Sequence, residues 1–187
     1  LVINPGSTST KIAVFQDDDL VFEEAIRYRP EELVVFETVM DQYKKRIEDI
    51  FEILARQGCQ VSDFTAVIGR GGLLKPIESG VYEVNAKMIS DLIGIGKIPH
   101  ACNLGAPMAR EIADIISVPA FIADPPVVDE LCPLARLSGL PEISRTAVFH
   151  ALNHKAVARR AAKAMGIRYE DGNFIVCHVG SGATIGA

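Results

Sequence analysis

The sequence has 187 residues, enough for one large domain or for one domain with part of a second. Apolar residues make up 49% and charged residues 23%, with a mean hydropathy of +0.22, so the chain can bury a core and is not intrinsically disordered. A net charge of −5 without an extended basic tract argues against nucleic acid or an anionic membrane surface as partner, and no apolar run approaches the roughly 18 residues of a membrane span.

In chain order, Leu1 to Asn4 is a short apolar strand, and Pro5 to Ser9 is a turn. Lys11 to Phe15 is β-rich, Gln16 to Asp19 turns, and Leu20 to Tyr28 completes an antiparallel meander. Pro30-Glu31-Glu32 opens a helix whose apolar positions, Phe36 to Leu54, recur at three- and four-residue intervals up to Gly58, with one break allowed. Phe64 to Ile68 is a buried strand followed by Gly69-Arg70-Gly71-Gly72. Asn85 to Ile93 and Asn103 to Ser117 are helices, and Pro119 to Ala123 is a strand ending at Asp124. The Pro-rich stretch Pro125 to Ser144 is the expected boundary. Beyond it, Thr146 to Met165 is an Ala-rich helix and Asn173 to Val179 a strand entering Gly180-Ser181-Gly182. This order predicts an α/β fold, a mixed β-sheet with flanking helices, with a first domain over 1–130 and the beginning of a second over 145–187.

Four irregularly spaced cysteines without a CxxC fit reduced thiols and a cytoplasmic location. With no initiator Met and strand-like residues at both ends, the sequence reads as a piece of a longer chain.

Five groups of residues carry chemistry. Asn4 to Lys11 combines Gly6 with the hydroxyls of Ser7, Thr8, Ser9 and Thr10. Such a turn can offer N–H and O–H donors to phosphate oxygens, with Lys11 as a point charge, although the same residues also make ordinary hairpins. His178, Gly180, Ser181 and Gly182 form a second strand-turn-strand. The strand character of Thr184-Ile185 excludes a dinucleotide-binding GxGxxG, which needs a helix there. The two similar turns suggest a two-domain duplication with a cleft between. Arg70, between glycines, offers a bidentate fork to a carboxylate or phosphate, or is a solvated turn arginine. Asp124, at a strand end, suits a Mg²⁺-associated carboxylate or a turn initiator. His150 and His154 stand i, i+4 without a third ligand or the Glu of HExxH, which disfavours zinc. His150 is placed to stabilise a transferring phosphoryl group, His154 is assigned a structural role, and His100 could likewise donate to an anion.

The segments INPGSTSTK, GRGGLLKPI, HACNLGA, DPPVVDEL, FHALNHKAVARR and HVGSGATIG, in this order, resemble the acetate and butyrate kinase family. They are closer to its butyrate-kinase branch, and the family shares the sugar-kinase, Hsp70 and actin fold (ribonuclease H-like). The resemblance covers the whole chain and implies an N-terminal portion. It implies a phosphotransferase joining ATP to a carboxyl acceptor, butanoate or isobutyrate or another branched short-chain acid, giving ADP and an acyl phosphate reversibly. Acetate or propionate kinase, or a truncated nucleotide-binding domain without activity, are the alternatives.

Carried over by position, the resemblance implies catalytic roles for Asn4, Arg70, His100, Asp124 and His150. Gly6, Ser7, Thr8, Ser9 and Lys11, with His178, Gly180, Ser181 and Gly182, would serve the phosphates of ATP/ADP. Asp124 would serve Mg²⁺, and Phe149 the acyl pocket. A homo-oligomer, dimer or higher, is implied for the intact enzyme. Pro126, Ser181 and His154 depart from the Val, Gly and Gln usual in the branch. The family's adenosine motif, second arginine and late glutamate have no counterpart in the chain.

Overall fold

The computed structural model describes residues 1–94, 100–180 and 182–186. It divides into two compact units, residues 1–74 with 80–123 and residues 75–79 with 124–187.

The first unit is a six-stranded sheet in the order β3-β2-β1-β4-β6-β5. β1 (Val2–Pro5) and β2 (Ser9–Gln16) pair antiparallel, with Asn4 opposite Lys11, and β3 (Asp19–Arg27) continues the meander past a bulge at Val14/Phe15. A single turn, α1 (Pro30–Leu33), is followed by α2 (Tyr43–Arg56), which enters through a 3-10 turn at Met40–Gln42. The expected helix is therefore broken, and the β-branched pair Val34-Val35 stands exposed in the interruption. α2 buries Ile47, Ile50, Ile53 and Leu54, the stripe its periodicity specifies.

β4 (Val67–Arg70) lies parallel to β1, with Ile3 opposite Gly69. β5 (Val81–Glu83) precedes α3 (Ala86–Gly94), a 3-10 turn at Ala101–Leu104 and α4 (Gly105–Ile116). β6 (Ala120–Ala123) lies parallel to β4 and antiparallel to β5. Three residues without clear alternation gave β5 no sequence signal; it forms because its backbone pairs with the edge of β6. The strand expected at Phe64–Ile68 starts and ends later, since Val61–Asp63 makes a 3-10 turn first. α4 packs on β4 and β6, and Ile3, Ile12, Ile50, Leu54, Val67, Met108, Ile112 and Ile122 close one core. Fully burying each such side chain contributes about 1.5–3 kcal/mol.

In the second unit, Ile77 bridges Val128, and the irregular stretch is tied by Arg136, whose guanidinium donates twice to Asp129 at 2.8 and 3.1 Å. α5 (Ala151–Met165) begins five residues after the expected Thr146. The Phe149 N–H is held by the Pro126 carbonyl at 2.9 Å, and His150, with φ −86° and ψ 58°, stands at the N-cap position, its carbonyl accepting from the His154 N–H at 2.9 Å. α5 packs on β7 (Val176–Val179), which pairs antiparallel with β8 (Ala183–Gly186). Among the described residues no helix is long and apolar enough to cross a membrane, and Cys59, Cys102, Cys132 and Cys177 are all free thiols.

Candidate functional site

The turn joining β1 to β2 closes through the Gly6 N–H to the Ser9 carbonyl at 2.7 Å. Its remaining carbonyls are engaged from the protein side. Arg46, on α2 and 1% exposed, donates from Nη1 to Gly6 O (2.9 Å), Ser9 O (3.1 Å) and Thr10 Oγ1 (3.0 Å). Its Nη2 donates to Ser7 O at 3.3 Å and to Gln42 Oε1 at 2.7 Å. The Thr8 carbonyl accepts from the Tyr28 N–H at 2.9 Å, and the Tyr28 ring lies 4.7 Å beneath the guanidinium.

All five acceptors of Arg46 are neutral. Burial pulls its pKa down from the usual arginine value, yet a guanidinium stays charged in proteins. The turn therefore encloses a cation and draws its carbonyl dipoles toward it, while Ser7 and Thr8 are left exposed. That polarity suits an anion. Sequence reasoning took Phe36 to Leu54 for its apolar stripe and passed over Arg46. The available signal was Gln42 and Arg46, i and i+4, set on the same face as Ile50 and Ile53.

Beside this turn, β1 and β4 end together. Arg70 closes β4 and donates from Nη1 to Asn4 Oδ1 at 3.4 Å. The approach is close because two glycines permit it: a Cβ on Gly69 would lie 2.1 Å from the Gly105 carbonyl oxygen, and one on Gly105 would lie 2.2 Å from that of Arg70. The start of α4 is thus pressed against the end of β4. The buried Asn103 fixes the following loop, its Oδ1 accepting from the Leu73 N–H at 2.8 Å. His100 caps the 3-10 turn before α4, its Nδ1 accepting from the Cys102 N–H at 3.2 Å. Burial, and next the positive charge of Arg70, hold its pKa below the ordinary imidazole value. Asn4, Lys11, Arg70 and His100 are thereby gathered about the carboxyl ends of β1 and β4. A cavity of about 690 Å³ elsewhere in this unit, lined by Met40, Tyr43, Ile89, Pro107 and Arg110 among others, is reached by none of the motif residues.

In the second unit, Asp124 adopts a left-handed backbone, φ 37°, which is sparsely populated outside glycine and Asn/Asp. Its Oδ1 accepts from the Ser79 hydroxyl at 2.7 Å. Lys155 donates to that hydroxyl and to Glu130 Oε2, the latter at 2.9 Å. His150 and His178 stack with centroids 3.6 Å apart and planes 2° from parallel. His150 Nδ1 lies 2.9 Å from Thr184 Oγ1, His154 Nε2 lies 3.0 Å from the same oxygen, and His178 Nδ1 lies 3.0 Å from Asn153 Nδ2. The Phe149 ring meets His154 edge-on at 5.4 Å.

Across the second turn, the Gly180 N–H donates to the Gly182 carbonyl at 3.0 Å; Ser181 lies outside the described residues. Among the described residues no group of three His, Cys, Asp or Glu side chains could hold a metal ion. Thr184, which draws two imidazoles onto one oxygen, and the Ser79–Lys155 support of Asp124 were not foreseen from sequence, because both depend on contacts between distant segments.

No protein-family model matches the chain. Over all 187 residues it is 51% identical to butyrate kinase 1 of Clostridium acetobutylicum, and it covers 52% of that protein. Two solved structures align over 99% of the chain at 18% identity. Acetate kinase of Porphyromonas gingivalis gives a TM-score of 0.68 and propionate kinase of Francisella tularensis subsp. tularensis SCHU S4 one of 0.66, each covered over 53% of its length. The chain thus spans about half the length of the relatives it matches. The butyrate-kinase resemblance read from the motifs is borne out, and the fold is the actin-like ATPase fold of these kinases.

Proposed function

We propose, on the premise that a chain 51% identical to a butyrate kinase over its whole length shares that protein's chemistry, that it is part of an ATP-dependent carboxylate kinase. The acceptor would be butanoate or a branched short-chain acid, and the products an acyl phosphate and ADP. The observation that carries the reading is the β1–β2 turn folded around the buried Arg46, beside Arg70 and Asn4 at the ends of parallel strands. Phosphate oxygens would be received at Gly6, Ser7, Thr8, Ser9 and Lys11 on one turn, and at His178, Gly180, Ser181 and Gly182 on the other.

A carboxylic acid is already ionised near neutral pH, so the nucleophile needs no general base. What opposes the reaction is repulsion between two anions, and catalysis is then positioning and charge neutralisation. Arg70, with its two parallel donors, would hold the carboxylate, Asn4 would fix the arginine, and His100 and His150 would donate to the transferring group. Asp124 suits magnesium, which takes one or two carboxylates beside phosphate and water and needs no protein cage. When bound, the ion would neutralise charge on the phosphates.

Specificity for acid length would rest on apolar contact, Phe149 included. Each methylene is worth about 0.8 kcal/mol, about fourfold, and a close-fitting pocket raises the ratio between neighbouring acids to about tenfold or somewhat more. The test is acyl phosphate trapping as the hydroxamate, in a butyrate kinase of full length carrying the substitution equivalent to Arg70→Ala and in this chain. Loss of turnover, with the acid's KM raised, is expected; unchanged turnover with butanoate sinks the assignment. A rate series from acetate to valerate separates this reading from an acetate or propionate kinase.

A further inference from the structure

Thr184 Oγ1 has one proton and two imidazole neighbours, His150 Nδ1 at 2.9 Å and His154 Nε2 at 3.0 Å. Each contact needs one hydrogen between the heavy atoms. Three arrangements of neutral rings supply them. Thr184 can donate to His150 and accept from His154; it can donate to His154 and accept from His150; or it can accept from both and send its own proton elsewhere.

His154 decides among them. The residue is 5% exposed, and its Nδ1 is buried without a hydrogen-bond partner. That nitrogen faces β8: a Cβ built on Gly186 would lie 2.7 Å from it, so a glycine Cα–H occupies that direction. A bare lone pair tolerates a C–H there. An N–H would be a buried donor aimed at carbon, left with its desolvation uncompensated by any hydrogen bond. His154 therefore keeps its proton on Nε2 and gives it to Thr184, which rules out the second arrangement. The third sends the Thr184 proton out to solvent from a half-buried hydroxyl, whereas the first keeps it within the cluster, on the ring nitrogen 2.9 Å away. Burial also holds the His154 pKa below the ordinary imidazole value, in keeping with a neutral ring.

We propose that His154 and Thr184 are positioning residues that fix the tautomer of His150: His154 Nε2–H donates to Thr184, the Thr184 O–H donates to His150 Nδ1, and the His150 proton is held on Nε2. The stack on His178 fixes the plane of the ring, and the chain of two hydrogen bonds fixes which nitrogen is the donor. His150 then presents an N–H, rather than a lone pair, at its Nε2. The use of that donor toward phosphoryl oxygens rests on the reading above; the proton positions do not. His154→Gln is the conservative substitution, because Gln also carries a terminal N–H able to reach Thr184.

The test is long-range ¹H–¹⁵N correlation NMR on the chain labelled at its histidines, of which there are only four, at a pH where imidazoles are neutral. The expected result is the Nε2–H tautomer at both His150 and His154. In Thr184→Val the Nδ1–H population of His150, held to about one-tenth or less by an ordinary hydrogen bond, rises several-fold, whereas Thr184→Ser restores the original pattern. His154→Gln keeps the His150 tautomer and His154→Leu loosens it. An Nδ1–H signal at His150 in the unsubstituted chain overturns the proposal, and so does a His150 tautomer indifferent to Thr184→Val. The unsubstituted spectrum decides the first point even if a variant fails to fold. Because nothing here is read from turnover, failure of the kinase reading would be seen separately.

Discussion

Gly69 and Gly105 meet backbone against backbone: a Cβ on the first would stand 2.1 Å from the carbonyl oxygen of the second. Both partners are main chain, at the end of β4 and the start of α4, so neither can rotate away. Overpacking costs typically 1–3 kcal/mol where side chains can adjust. Here the cost of Gly69→Ala or Gly105→Ala is expected at about 3 kcal/mol or above, with Arg70 displaced in either variant. Gly139→Ala, with nothing within 4 Å of the added carbon, should stay within about 0.5 kcal/mol. Urea midpoints of the three variants check the contrast.

Arg46 makes a second, different prediction. Replacing it with Met removes the donors to Gly6, Ser7, Ser9 and Thr10 together. Each acceptor left buried and unpaired costs about 1–3 kcal/mol, partly recovered where water can enter the turn. A net loss of about 2–4 kcal/mol is expected. Arg46→Lys keeps the charge but not the planar fork, and should fall between Met and the original. Nucleotide affinity should fall in the same order in an intact kinase carrying these substitutions. Lys11→Ala, on the exposed side of β2, should weaken nucleotide binding with little effect on unfolding, and the reverse pattern would contradict the division of roles.

What could be read from the sequence was local. Alternation located β1 to β3, a 3.6-residue period located the buried stripe of α2, and glycine with hydroxyl residues marked both turns. Arg46 was hidden because a charged residue beside an apolar stripe ordinarily snorkels to solvent, and its partners lie up to 40 residues away in the chain. β5 was hidden because three residues pair only once β6 is in place. The start of α5 was misplaced because the Pro126 carbonyl, not helix propensity, holds Phe149. Asp124 could be picked out by its position at a strand end. Its left-handed backbone and its Ser79 partner could not, since both depend on tertiary structure.

Ser117 predicts a gain. It ends α4 in the left-handed region, φ 57° and ψ 44°, where its N–H caps the Ala113 and Asp114 carbonyls. A residue with a Cβ is strained there and glycine is not. Ser117→Gly leaves the capping backbone intact and should raise stability by about 0.5–1 kcal/mol, read as a higher thermal midpoint with unchanged far-UV circular dichroism. No gain would mean that the serine hydroxyl contributes what the strain costs.

Stability should also fall on the acid side of neutrality. His154 is held neutral in the folded chain, its pKa lowered by burial and next by the nearby His178. In the unfolded chain it titrates near the usual value of about 6.5. Below that value the unfolded state binds more protons than the folded one, so stability rises with pH there. The contribution is whole above about 6.5 and is lost as pH falls from there toward the folded pKa. The slope for one such group is at most about 1.4 kcal/mol per pH unit. His100, lowered by burial and then by Arg70, acts in the same sense. Acid loss of stability should therefore begin above the range in which carboxylates protonate. His154→Gln removes one titrating group and keeps an N–H for Thr184, so it should flatten the fall below about pH 6.5 by up to that slope. A His100→Gln variant should flatten it independently, since the two histidines belong to different units. If His154→Gln retains the full slope, the folded state protonates His154 as readily as the unfolded one. The hydrogen bond to Thr184 would then have to survive on an imidazolium, with both ring nitrogens donating and Nδ1–H directed at Gly186.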